Sequence, residues 1–150
     1  MKFEFRLERL KDLKKSLEDT ARIELGIKNK QRQLVEDEIN KMNNKIDTFS
    51  TEFIKEVKDT ISITKLLSMI EYNNYLNDQL SQLRLELQEQ LQEEETARQN
   101  YLKAKSEKDI LQKLKDKRLN EFKVQEKRAD IRELDEIARL NHHPREENYE

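Results

Sequence analysis

The sequence has 150 residues, of which 41% are charged and 34% are hydrophobic, with one glycine, one proline and no cysteine. Globular domains carry roughly 25% charged and roughly 45–50% apolar residues, so this composition excludes a multilayered core, disulfides and thiolate chemistry. The net charge of −2 gives no overall attraction to nucleic acid or to an anionic membrane. Leucine, glutamate, lysine, glutamine and arginine predominate, and all of them favour long helices.

The first predicted helix covers residues 3–58. Positions separated alternately by three and four residues predict a coiled-coil seam that holds Leu10, Leu13, Leu17, Thr20, Glu24, Ile27, Gln31 and Leu34. The pattern then slips by one residue to a seam with larger side chains, which holds Ile39, Met42, Ile46, Phe49 and Phe53. Such a slip predicts a local change of the supercoil. Gly26 is interpreted as a small-residue contact within this helix.

A break in the helical pattern separates the two halves of the chain. Residues 57–66 read VKDTISITKL and lack helical charge pairs. We predict a turn at residues 59–63, with Ser62 or Thr64 capping the next helix, because a hydroxyl accepts a hydrogen bond from a free backbone N–H. Asn73 and Asn74 are the alternative position for the break, but asparagine is only mildly unfavourable in a helix.

A second helix is predicted over residues 64–141, followed by a frayed tail at 142–150 that contains Pro144. Its seam keeps one register through Leu76, Leu80, Leu83, Leu87, Gln90, Glu94, Ala97, Tyr101, Ala104, Lys108, Leu111, Lys115, Arg118 and Phe122. The predicted fold is all-α, a single domain of two long helices that form an antiparallel coiled-coil hairpin. In such a hairpin residue i faces about 122 minus i. Residues from about 120 to 140 then extend beyond the first helix, as an overhang with an apolar stripe.

Catalysis and cofactor binding are not predicted. A reaction site requires side chains that converge in a concave pocket, and two paired helices offer none. His142 and His143 are adjacent, so their side chains point about 100° apart on a helix, and no metal site is expected. The run Glu93 to Glu95 is interpreted as a solvated face. No apolar run is long enough to insert into a membrane, and a cytoplasmic protein is expected.

Two sequence features are candidates for binding partners. The stretch from Lys103 to Arg128 is basic but lacks a nucleic-acid reading motif, so we interpret it as a solvated face or a surface for an acidic protein. Tyr72, Tyr75 and Leu76 lie three and four residues apart, on or near one helical face. They fit the core near the hairpin end, and they also fit binding anchors.

Three segments of the sequence carry a family resemblance: the opening FEFRLERLKDLKKSLEDTARIELG, the Tyr-x-x-Tyr-Leu after the break and the closing KRADIRELDEIARL. They resemble the FliJ family, a cytoplasmic component of the flagellar type III export apparatus. The resemblance implies a stalk-like coiled coil inserted in the ring of the export ATPase. It also implies contacts with the cytoplasmic domain of the export gate, a membrane protein, and with export chaperones. The protein would then lie at the inner face of the cell membrane through the export complex.

The same resemblance implies two groups of partner-binding residues. The ATPase end would comprise the paired N- and C-terminal segments, with Phe3, Phe5, Leu7, Leu10, Leu134, Ile137 and Ala138. The gate surface would fall early in the second helix, at Tyr72, Tyr75, Leu76 and Leu80. Gln79 stands where the family has an apolar residue, so Leu76 or Leu80 would supply the apolar contact. The alternative function is a structural spacer, formed as a longer parallel homodimer without a hairpin.

Overall fold

The computed structural model describes residues 2–142, and two α-helices account for nearly all of them. Helix α1 spans Glu8–Lys58 and helix α2 spans Ile63–Asn141. The two helices pack against each other as a hairpin, which confirms the predicted all-α fold. A long parallel helix without a hairpin is thereby excluded. Apart from His142, the predicted tail at 142–150 lies outside the described residues.

The first helix begins at Glu8 rather than at residue 3. Residues 2–5 are not helical and residues 6–7 form a turn, in which the Glu8 backbone N–H donates to the Phe5 carbonyl oxygen at 3.1 Å. Phe3, Phe5 and Leu7 alternate with polar residues and are half-buried, whereas the residues between them are exposed. A period of two is typical of an extended segment with one buried face. This alternation explains why the helix does not begin earlier.

The connection between the helices is short and capped. Residues 59–62 are not helical, and Ser62 Oγ accepts a hydrogen bond from the Lys65 backbone N–H at 3.2 Å. This is the N-cap geometry that satisfies a free donor of the first turn, so capping by Ser62 is confirmed. Glu56 and Lys65 form an ion pair of 2.6 Å across the connection. Asn73 and Asn74 lie within α2, where the helix continues.

The chain divides into two compact units. The turn unit comprises Ser16–Ala104, and the terminal unit comprises Met1–Lys15 together with Lys105–Glu150. Within the turn unit Lys28 contacts Glu93 at 3.0 Å, and the rings of Phe49 and Tyr72 lie 4.9 Å apart. Both contacts agree with the predicted antiparallel register, in which residue i faces about 122 minus i.

The first part of the predicted α1 seam, from Leu10 to Leu34, is wrong. Leu17, Ile27 and Leu34 are 46%, 51% and 56% exposed, and Leu10 and Leu13 in the terminal unit are also exposed. In the turn unit the buried and half-buried seam instead holds Glu18, Ala21, Leu25, Lys28, Arg32, Val35, Ile39, Met42, Ile46, Phe49 and Phe53. These positions alternate by three and four without a break, so the predicted register slip is absent from this stretch.

The α2 seam was predicted correctly in the turn unit. Leu76, Leu80, Glu94 and Ala97 are buried, and the other predicted seam residues of this unit are half-buried: Leu83, Leu87, Gln90, Tyr101 and Ala104. Gly26 is exposed, and a Cβ placed on it would meet no atom within 4 Å. The interpretation of Gly26 as a packing contact is therefore wrong.

Candidate partner-binding surfaces

A charged layer replaces apolar packing in the middle of the turn unit. Glu94 is 4% exposed, and its carboxylate accepts hydrogen bonds from Arg32 Nε, from Asn29 Nδ2 at 3.3 Å and from an Arg98 nitrogen at 3.2 Å. The interpretation of Glu93 to Glu95 as a solvated run is therefore wrong for Glu94. Burying this carboxylate requires such partners, because an unpaired buried charge is strongly unfavourable. The layer thus fixes which residues of α1 and α2 face each other.

A second polar contact lies further along the same unit. Glu18 is 2% exposed and accepts a hydrogen bond from an Arg22 nitrogen at 2.9 Å. The Arg22 guanidinium lies 5.8 Å from the centre of the Tyr101 ring, within the range of a cation–π contact. Its contact with Tyr101 raises the pKa of Arg22 further above its already high usual value. Glu18, Arg22 and Tyr101 therefore act together in fixing the register.

An aromatic patch lies near the turn, formed by Phe49, Phe53, Tyr72 and Tyr75. Phe49 packs on Phe53 with ring centres 6.4 Å apart, and Tyr72 lies 6.4 Å from Tyr75. Tyr72 is 40% exposed and Tyr75 is 55% exposed. The hydroxyl-bearing rings therefore reach solvent at the edge of the patch, while the phenylalanines are half-buried.

The four residues predicted for the gate surface divide into two groups. Tyr72 and Tyr75 are exposed, whereas Leu76 is fully buried and Leu80 is buried in the seam. Gln79 is half-buried. A partner approaching this face would therefore meet the tyrosine rings, whereas the two leucines pack within the hairpin. A cavity of about 290 Å³ beside the patch is lined by Phe49, Ser50, Phe53, Ile54, Ile70 and Asn73.

The N-terminal segment packs on α2 within the terminal unit. The ring centres of Phe3 and Phe122 lie 5.6 Å apart, and an open groove of about 660 Å³ runs beside them. Lys14 Nζ donates to a Glu107 carboxylate oxygen at 2.9 Å, and Lys115 Nζ donates to Glu8 Oε1 at 3.1 Å. These pairs hold the start of α1 against α2.

The Glu8–Lys115 pair predicts a pH dependence for this end of the molecule. The hydrogen bond from Lys115 lowers the pKa of Glu8, so the pair stabilises the folded state above the usual glutamate pKa. That contribution is lost as the pH falls through the lowered pKa. The protection of the amides at residues 8–15, measured relative to their intrinsic exchange rate at each pH, should fall over this acidic range, and much less in Glu8→Gln. An identical loss of protection in both proteins would show that another group controls the pH dependence.

The overhang, residues 123–142, has no partner helix in the terminal unit. Each of these residues is exposed, although α2 continues to Asn141. Leu134 lies twelve residues beyond Phe122, which is about 18 Å along a helix. The predicted ATPase-end residues fall into two groups. Phe3, Phe5 and Leu7 line the same groove as Phe122. The other members, Leu134, Ile137 and Ala138, lie further along α2, and Leu10 is 40% exposed on α1.

The described residues contain neither an evident metal site nor a membrane span. Over 2–142, no cluster of three or more histidine and acidic side chains is placed to hold a metal ion, and His143 lies outside this range. Within the same range, neither helix has the length and apolar content needed to cross a bilayer.

Comparison with known proteins identifies a family and a similar fold. The family model described as "Flagellar FliJ protein" matches residues 1–147. No curated protein matches the chain. The structure of CT670 from Chlamydia trachomatis, described as a candidate YscO homologue, is similar with a TM-score of 0.58. The two chains are 20% identical, and the match covers 94% of this chain and 96% of CT670. At that identity the likeness supports the two-helix fold.

Proposed function

Because the chain belongs to the FliJ family of flagellar proteins, we propose that it is a non-enzymatic component of the flagellar type III protein export apparatus. The observation that carries this proposal is the family match over residues 1–147. The paired helices support it, since long helices with exposed apolar residues suit a protein that acts by binding other proteins.

We propose the terminal unit as the part that binds the export ATPase ring in a stalk-like manner. Phe3, Phe5 and Leu7 pack the start of the unit on α2, and the overhang adds the exposed side chains of Leu134, Ile137 and Ala138. An amphipathic helix with no partner buries its apolar stripe when another protein covers it. The ATPase would therefore cover the overhang, with Leu10 at the edge of the contact.

Co-purification tests the proposed function directly. The tagged chain should retain the flagellar export ATPase of the same organism and should change the rate of ATP hydrolysis by that ATPase. A chain that neither retains the ATPase nor alters its activity would contradict the proposal.

The aromatic patch is the proposed contact with the cytoplasmic domain of the export gate. Tyr75→Ala should weaken binding to that domain, because tyrosine rings at the centre of an interface commonly contribute more than 1 kcal/mol. The free energy of unfolding should change by less than about 1 kcal/mol, since Tyr75 is half-exposed. Titration calorimetry and urea unfolding measure the two effects. A large loss of stability with unchanged binding would assign Tyr75 to the hairpin core.

Binding of export chaperones and a location at the inner face of the cell membrane complete the proposal. Both rest on the family, and neither requires the chain itself to enter the membrane. The exposed leucines and isoleucines of α1, namely Leu13, Leu17, Ile23, Ile27 and Leu34, offer apolar surface for such proteins.

A further inference from the structure

The apolar side chains of the overhang are exposed to water along its whole length. Val124, Ile131, Leu134 and Ile137 are 49%, 56%, 65% and 48% exposed. Positions 124, 127, 131, 134 and 138 alternate by three and four, as the core positions of a coiled coil do. They hold Val124, Lys127, Ile131, Leu134 and Ala138, so all but one are apolar. A single helix of this length is marginal in water. A partner that covers the stripe would therefore stabilise this helix, even when no other protein is bound.

The charges of the overhang are divided between its two halves. Residues 123–132 contain four basic and two acidic side chains, which gives a net charge of +2. Residues 133–142 contain one basic and three acidic side chains, which gives −2 with neutral histidine. A uniformly acidic or basic partner would match only one half. A second overhang that runs in the opposite direction matches both, because the basic half of each copy then lies beside the acidic half of the other.

We propose that, in the free protein, the overhang pairs with the overhang of a second copy as an antiparallel coiled coil. A two-fold axis between residues 132 and 133 places Ile131 of each copy against Leu134 of the other. Arg128 and Asp135 both occupy positions that flank this core, so each Arg128 lies beside the other copy's Asp135. Parallel pairing would place the two basic halves together and the two acidic halves together, which is unfavourable.

This pairing goes beyond the proposed function and is independent of it. The ATPase contact and the self-pairing use the same stripe, so the two are mutually exclusive. Binding to the ATPase would then separate the pair. All measurements below use the full-length chain alone, so a failure of the proposed ATPase contact would not affect them.

Charge reversal tests the direction of the pairing. Sedimentation equilibrium over a concentration series should show a monomer–dimer equilibrium for the unmodified chain. Arg128→Asp and Asp135→Arg should each raise the dissociation constant about tenfold, because each creates two repulsive pairs per dimer. The double variant should restore the original value, since it re-forms both pairs with reversed signs. Arg132→Asp is the matched control for Arg128→Asp. It makes the same change of charge at a position farther from the core, so the dissociation constant should change little.

Cysteine cross-linking tests the same arrangement without relying on charge. The chain has no native cysteine, so single cysteines report only on the chosen positions. Lys127→Cys and Ala138→Cys proteins should form a mixed disulfide when combined and little disulfide when separate. Ala129→Cys, on the outer face, should link poorly in every mixture. Efficient linking of each protein with itself would indicate parallel pairing and overturn the proposal.

The sedimentation experiment has equally definite contrary outcomes. A chain that stays monomeric at every concentration contradicts the proposal. A dimer that survives both single charge reversals must use another surface, such as the exposed apolar residues of α1. Circular dichroism at a dilution where every protein is monomeric provides the control for folding, because there the exposed substitutions should leave the helical content unchanged.

Discussion

Replacing Leu134 and Ile137 together with aspartate should abolish retention of the export ATPase while the rest of the hairpin stays folded. Both side chains are exposed in the free chain, so the substitutions remove no internal packing. In the proposed complex they would place two unpaired carboxylates against an apolar surface, and burying an unpaired charge costs several kcal/mol. A loss of that size reduces the affinity by at least about a hundredfold. Co-purification and ATPase stimulation measure it.

The matched control is Gln125→Asp combined with Ala129→Asp. Both positions are exposed, the change of net charge is the same, and both residues lie away from the face of α2 that carries Leu134 and Ile137. This variant should retain the ATPase. Equal loss in both double variants would indicate a general charge effect, and retention of the ATPase by Leu134→Asp/Ile137→Asp would move the contact elsewhere.

Amide exchange adds a measurement on the unmodified chain. An unpacked helix opens readily, so its amides exchange quickly. Residues 125–140 should exchange fast in dilute free protein and slow markedly when the ATPase is added. Exchange that is already slow in dilute protein would show that the overhang is stabilised within the chain itself.

Leu76→Ala should lower the free energy of unfolding by about 3 kcal/mol. Leu76 is fully buried, and such truncations remove apolar contacts and leave a cavity, at a cost of about 2–5 kcal/mol. Few residues of the turn unit are buried to this extent, so little else compensates. Urea unfolding followed by circular dichroism measures the change.

Leu85→Ala is the control for this substitution. Leu85 lies on the same helix and is 62% exposed, so its truncation should alter stability by no more than about 0.5 kcal/mol. Similar losses at the two positions would contradict the packing of α2 described above. Weakened binding to the export gate in Leu76→Ala, beyond the loss of stability, would show that the leucine supports the tyrosine rings.

The α2 seam could be predicted because Leu76, Leu80, Leu83 and Leu87 occupy consecutive core positions and no competing stripe exists beside them. The α1 seam from Ile39 to Phe53 was predicted as it is, whereas the part before it was not. Its exposed face carries Leu13, Leu17, Ile27 and Leu34, a better apolar pattern than the true seam with Lys28 and Arg32. The true seam is stable because charged residues find partners on α2, such as Glu93 and Glu94. Apolar periodicity within one helix contains no information about such cross-helix pairs.

The candidate surfaces were predictable to a different extent. The overhang follows from the position of the turn and the unequal lengths of the helices, and both were visible in the sequence. The sequence did not show that Tyr75 is exposed while Leu76 is buried. Residues adjacent in a helix point about 100° apart, so the two could be separated only once the position of the seam was known. The non-helical start was missed because its alternating pattern is short and leads directly into a helical one.

The connection closed by Ser62 and the Glu56–Lys65 pair also bears on the order of folding. Glu56 and Lys65 are nine residues apart in sequence, whereas Glu8 and Lys115 are separated by 107. The entropy lost on closing a loop grows with its length, so contacts beside the connection form at the smallest cost and each one shortens the next loop. The two helices should therefore pair first beside the connection and then progressively towards the ends of the chain. In reverse, the ends of the chain can separate while the Phe49–Tyr72 contact persists.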